Sequence, residues 1–149
     1  MNKFIRITAI SLSLLVPTWA NASPIEDANA VVDSWSAAYT SNDPEAIVKL
    51  YAPDAILLGT ISPVISTGTE SIRKYFSRLK GSGNKNVIQE RRTITLGEDA
   101  VVITGFYEFS SLKDGTPLLR PSRFTMLVTK RNGEWNIAHH HSSPHVKSN

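Results

Sequence analysis

Apolar residues fall at three- and four-residue steps near the start of the chain: Ile25, Ala28, Val32, Trp35 and Tyr39. That spacing places them on one stripe of a helix. Ser23-Pro24-Ile25-Glu26 has the pattern of a capping box with proline at the first helical position, so the helix begins there. Thr40-Ser41-Asn42 breaks it. Asp43-Pro44-Glu45 caps a second, short helix whose apolar face is Ile47, Leu50 and Tyr51. A short strand over Ala55 to Leu58 follows, then a loop from Gly59 to Gly68 rich in Ser, Thr, Pro and Gly. Thr69 caps a third helix carrying Ile72, Tyr75, Phe76 and Leu79, which stops at Gly81-Ser82-Gly83.

Beyond that point the period of the pattern changes to two. Val87 to Leu96, Ala100 to Leu112, Ser122 to Lys130 and Glu134 to Ser142 read as strands rich in β-branched and aromatic residues. The connections at Gly97-Glu98-Asp99 and Lys113-Asp114-Gly115 are turn-like, and Asn132-Gly133 is a strong hairpin signal. Helices first and an antiparallel meander afterwards predict a single α+β domain, a curved sheet wrapped over helices. Val, Ile and Phe on the outer side along Val101 to Phe109 would leave an apolar patch that marks an interface.

The first 22 residues stand apart from this domain. Lys3 and Arg6 precede an uncharged apolar run from Ile7 to Val16, and Ala20-Asn21-Ala22 is a small-x-small cleavage signature. Together these read as a secretory signal peptide cut after Ala22, leaving a periplasmic or secreted domain over 23–149. A membrane span takes roughly 20 apolar residues, about twice the run present. Intact-mass analysis of the exported protein should give a chain starting at Ser23; a mature form that keeps Lys3 or Arg6 would refute the processing. Without those two residues the 16 basic side chains become 14, against 13 acidic ones, so the domain is nearly neutral. Nothing in that balance points to nucleic acid as a partner. There is no cysteine, so neither a lipid-anchoring cysteine nor a disulfide is available.

The order helix, helix, strand, helix and four long strands resembles the cone-shaped nuclear transport factor 2-like superfamily, which includes the SnoaL-like proteins. YTSNDPEAIVKLYAPDAILL is similar to that group's first helix-turn-helix and short strand, and GTESIRKYF to its third helix. RFTMLVTKRNGEWNIAHHHSS resembles the closing hairpin of the calcium/calmodulin-dependent protein kinase II association domain and of its small SgcJ/EcaC-type bacterial relatives. The resemblance implies a conical α+β fold, a pocket between sheet and helices, and assembly into homodimers or larger rings. It does not fix the chemistry, which varies across the superfamily from isomerisation to scaffolding. The kinase domain carries an arginine directly after its His-x-His, lining the pocket, where this chain has Ser142. Arg123 on the neighbouring strand is the candidate substitute, which keeps an anionic ligand compatible with the pocket.

All four histidines lie within the last eleven residues of the chain, at the end of the stretch GEWNIAHHHSSPH. Strict alternation puts His139 and His141 on one face with Trp135 and Ile137, and His140 on the other with Ala138, unless a bulge exchanges the faces. Counting from Asn132-Gly133 sets Arg123 to Thr125 opposite His140 to Ser142. Three readings compete. His139 and His141, roughly 6.5–7 Å apart along a strand, could share a metal, but no acidic residue or cysteine is near in sequence and an arginine next door repels a cation. A histidine could act as general acid or base with Asp54 or Tyr107 as partner. The histidines could instead be hydrogen-bonded pocket or interface residues. Asp54 in Pro53-Asp54-Ala55 reads as a turn former or a cavity acid. Arg123, set between apolar neighbours, needs a carboxylate such as Glu108, a carbonyl or an anionic ligand.

The sequence thus predicts a small-molecule pocket lined by Trp35, Tyr39, Arg123, His139, His140, His141 and Ser142, with no metal and no cofactor. The alternative is a cofactor-free isomerase, dehydratase or hydrolase using His139 or His141 with Asp54. Neither a glycine-rich nucleotide loop nor a nucleophile elbow is present.

Overall fold

Ser23 caps the first helix as its sequence predicts. Its hydroxyl accepts from the Glu26 N–H, and the Glu26 carboxylate accepts from the Ser23 N–H at 2.8 Å. That backbone bond holds the Glu26 carboxyl below the usual carboxylate range. The computed structural model describes residues 23–145; the expected signal peptide and its cleavage site lie outside the described residues. Helix α1 runs over Pro24–Thr40 and buries Ala28, Val31, Val32, Trp35 and Ala38. Ile25, expected on the buried stripe, is exposed, and Tyr39 is only partly covered. Helix α2, Pro44–Val48, is capped by Asp43, whose carboxylate accepts from the N–H groups of Glu45 and Ala46.

Strand β1 occupies Tyr51–Leu58, so it begins four residues earlier than the apolar run at Ala55 predicts. Tyr51 therefore opens a strand instead of closing the second helix. A three-residue strand β2, Ile65–Thr67, lies in the stretch expected to be loop, and helix α3, Gly68–Phe76, follows it with Thr67 at the cap position. A 3-10 turn over Ser77–Leu79 ends the helical part. Then come β3 at Lys85–Thr95, β4 at Ala100–Lys113, β5 at Thr116–Arg131 and β6 at Glu134–Pro144.

The six strands form one sheet in the order β2-β1-β6-β5-β4-β3. All neighbours are antiparallel except β1 and β6, which run parallel. The β4–β5 and β5–β6 hairpins turn on pairs with positive φ, Asp114-Gly115 and Asn132-Gly133, the backbone that matches the twist of the flanking strands. Gly105 faces the register shift of β3 between Ile88 and Glu90. A Cβ there would stand 2.0 Å from the Glu90 carbonyl oxygen, so only glycine admits that bulge.

Helices cover one face of the sheet, with the core made by Trp35, Ile47, Leu57, Ile72, Val101, Ile103, Tyr107, Phe109, Phe124, Met126 and Ile137 among others. Val101, Ile103, Tyr107 and Phe109 of β4 point into this core. The outer side of β4 is accordingly Val102, Thr104, Phe106 and Glu108, more polar than the sequence pattern suggests. The β4–β5 ribbon outruns its neighbours. Pairing of β3 with β4 stops at Ser110 and pairing of β6 with β5 stops at Ser122, while β4 and β5 stay paired to Lys113 and Thr116.

Candidate functional site

A bulge decides which histidine meets the interior. From Arg131↔Glu134 to Val128↔Ile137 the β5–β6 register is regular; Leu127 then pairs with His139, leaving Ala138 as the extra residue. Beyond it Met126 lies opposite His140 and Phe124 opposite Ser142. His140 and Ser142 thus share the core face with Ile137, whereas His139 and His141 turn outward. This reverses the faces given by strict alternation, because one inserted residue shifts a period-two pattern by half its repeat.

The core face of β6 closes the end of a cavity of about 280 Å³ between sheet and helices. Trp35 and Tyr39 of α1, Tyr75 and Phe76 of α3, and Tyr107 and Phe109 of β4 supply its aromatic walls. Trp35 stacks on Tyr39 and Tyr107 and meets Phe76, Phe109 and His140 edge-on. Gly59 allows Tyr75 to close the wall, since a Cβ at 59 would stand 2.3 Å from its ring. Exposed Ile61, Arg78 and Arg120 border the same cavity.

Its floor is a line of buried polar groups. The Trp35 indole donates to the Tyr51 hydroxyl at 3.0 Å, and that hydroxyl lies 2.7 Å from His140 Nδ1. His140 Nε2 is 3.4 Å from the Tyr107 hydroxyl, which donates to Ser142 Oγ. Ser142 in turn bonds the Thr60 hydroxyl. Both ring nitrogens of His140 are therefore met by tyrosines. Burial, reinforced by the flanking His139 and His141, brings its pKa down to about 3, so the ring is neutral. Burial likewise raises the hydroxyls of Tyr51 and Tyr107 above the usual range.

The other predicted site residues lie elsewhere. Arg123 is on the outer face opposite Ser143 and donates to the Pro144 carbonyl at 3.4 Å. Asp54 is exposed and bonded by Arg131 at 2.7 Å, a hydrogen bond that holds its carboxyl below the usual range. Of the predicted lining residues, the structure brings together Trp35, Tyr39, His140 and Ser142 and separates them from Arg123, His139 and His141; Asp54, expected only as a catalytic partner, is also outside the cavity. Arg78, Arg120 and Thr60 were not foreseen. Arg120 has the parity of Ser122 and Phe124, so continuing β5 through Pro121 would have found it. Among the described residues, no group of three or more His, Cys, Asp or Glu is placed to hold a metal, and no helix is long and apolar enough to cross a membrane.

The model of the calcium/calmodulin dependent protein kinase II association domain matches residues 25–146. Among solved structures, a candidate association domain of that kind from Xanthomonas campestris is similar at 30% identity and a TM-score of 0.76, over 94% of this chain and 100% of that one. A ketosteroid isomerase-like protein from Erwinia carotovora superposes with a TM-score of 0.69 at 16% identity, over 82% and 96% of the two chains. A nuclear transport factor 2-like protein with a cystatin-like fold from Novosphingobium aromaticivorans gives 0.72 at 14%, over 84% of each. At those identities the last two share the fold and nothing more is carried over. No curated protein matches the chain.

Proposed function

Since the chain belongs to the calcium/calmodulin dependent protein kinase II association-domain family, we propose that it is an exported, oligomeric small-molecule-binding module. The observation that carries this reading is the cavity itself. Aromatic walls surround a floor whose one histidine is already satisfied by Tyr51 and Tyr107. A general base needs a free nitrogen turned to the substrate and a group that orients the ring. His140 has neither a carboxylate partner nor a free nitrogen, and no Asp or Glu lines the cavity. The cofactor-free enzyme built on His139, His141 and Asp54 has those residues outside the cavity, so binding is the better supported class.

Charge at the rim narrows the ligand. Arg78 and Arg120 both border the cavity, and neither is ion-paired among the described residues, unlike Arg73, Arg91, Arg92 and Arg131. Two guanidiniums beside an apolar cavity suit a small carboxylate whose carbon frame lies against the rings. Fluorescence titration with short aliphatic and aromatic carboxylates and their amides should show saturable binding of acids over amides. Arg120→Gln should weaken the acids by roughly tenfold, the size of one hydrogen bond to a charged group. Equal affinity for acids and amides would refute the anionic ligand.

The outer sheet face supplies the assembly surface of the proposal. It presents Phe106, Val87, Ile94 and Ile56, all exposed, together with Arg123, His139 and His141. Light scattering at tens of micromolar should give the mass of a dimer or larger ring, and a strictly monomeric mass would reject this part.

A further inference from the structure

Six large aliphatic side chains are exposed at the end of the molecule where the cavity opens. Ile61 borders the cavity and is 85% exposed, and Val64 and Ile65 follow it closely in the chain. Leu112, Leu118 and Leu119 stand on the overhanging β4–β5 ribbon beside Arg120, which borders the same cavity. Alternation divides these leucines between the two faces of the ribbon. Leu118 has the parity of Arg120 and Phe124, whereas Leu112 and Leu119 belong to the outer face. A folded partner covers one face of a ribbon; leucines on both faces fit surroundings that close over the tip from every side. Nor does the ribbon invite an added strand along β5. The Pro121 carbonyl accepts from the His145 N–H, so residues 121, 119 and 117 turn their backbone groups to that edge, and two of the three are prolines with no N–H to give.

The charge at this end is equally one-sided. Residues 59–64, 77–86 and 110–120 meet here: Ile61, Arg78 and Arg120 border one cavity, and Lys85 pairs with Ser110 at the root of the ribbon. They carry Arg78, Lys80, Lys85, Lys113 and Arg120 against one acid, Asp114, a net charge of +4. The rest of 23–149 holds nine basic and twelve acidic residues, a net charge of −3. All five cations are exposed, and none is in an ion pair among the described residues; the pairs belong to Arg73, Arg91, Arg92 and Arg131. Two such ends repel each other, which argues against a second copy of this chain as the occupant. We infer that this end is a docking surface for an anionic membrane, with the leucine ribbon and the Ile61–Ile65 segment seated in the headgroup layer and the cations on the lipid phosphates. Interfacial binding combines buried apolar area with attraction to anionic lipids, and each Lys or Arg near such a leaflet is worth about fivefold in partitioning. Among the described residues no helix is long and apolar enough to cross a membrane, so this attachment is peripheral. It stands independently of the small-molecule reading, and it turns the cavity opening toward the bilayer.

Flotation of the exported protein tests this, with vesicles of phosphatidylglycerol and phosphatidylcholine in equal parts and with vesicles of phosphatidylcholine alone. The protein should float with the first and stay below with the second, and added salt should release it. Lys80→Gln combined with Lys113→Gln should weaken partitioning by about twenty-five-fold, the worth of two cations. Leu112→Ser combined with Leu119→Ser should weaken it by at least about tenfold and leave its salt dependence in place. Val64→Ser combined with Ile65→Ser gives the same readout if the ribbon variant does not fold. Unchanged flotation of the folded apolar variants overturns the seating of these side chains, and equal recovery with the two kinds of vesicle overturns the charge requirement. Protein that stays below with both overturns the membrane as partner and leaves the surface to an acidic protein. None of the substituted residues lines the cavity, so carboxylate titrations of the same variants keep a failure here distinct from a failure of the small-molecule reading.

Discussion

Truncation of Trp35 to alanine is expected to lower the unfolding free energy by about 3–5 kcal/mol, the range for deleting a large aromatic from a closed core. The indole is buried and packs against four other aromatic side chains and His140. Its N–H is also the donor that meets the Tyr51 oxygen. The truncation removes both terms, and the cavity next to it prevents the neighbours from simply closing the gap. Urea unfolding followed by circular dichroism measures the change. A loss below about 1 kcal/mol, the size of an ordinary surface effect, would mean that the aromatic walls are not held together as described.

Acid should unfold this protein from an unusually high pH. His140 has a pKa of about 3 in the folded chain, from burial first, against 6.5 for an ordinary histidine. Below 6.5 the unfolded chain takes up a proton at this position that the folded chain refuses. Stability is therefore complete above that value and falls with decreasing pH until the folded group itself titrates. Each pH unit in the window is about 1.4 kcal/mol, so the loss by pH 4.5 is on the order of 3 kcal/mol. His140→Gln should be less stable at neutral pH but lack this slope. Parallel slopes for the two proteins between pH 6 and 4.5 would contradict a histidine kept neutral in the core. The exposed His141 belongs in the comparison as His141→Gln, which should retain the slope.

The elements were legible because each is announced by local chemistry. The Ser23 capping box, the Asp43-Pro44 start and Asn132-Gly133 are features of neighbouring residues, and the structure uses each of them in place. Family membership followed from the same stretches. What the sequence could not supply was the phase of β6. The insertion at Ala138 has no signature of its own in a run of similar side chains, yet it exchanges His139 and His141 for His140 and Ser142 at the cavity. Tyr51 was misplaced because helix and strand periods agree over so few residues, and Arg120 because Pro117 and Pro121 made its strand look finished. Arg123 looked interior from its place in the middle of a strand, but alternation seats Ser122 and Phe124 inside and the guanidinium outside. The outer-face group of Arg123, His139 and His141 then falls on the surface proposed for assembly.

The overhanging β4–β5 ribbon separates two time scales. Its outer residues, from Ser111 to Leu118, pair only with each other, and an isolated two-stranded ribbon is marginally stable in water. Amide protons there should exchange through local fraying, while those of Met126 or Ile103 wait for global unfolding. Arg120, paired with Phe109 where β3 still flanks β4, lies just inside the point at which the ribbon leaves the sheet. The tip of the hairpin therefore breathes without disturbing the cavity wall to which Arg120 and Trp35 both belong.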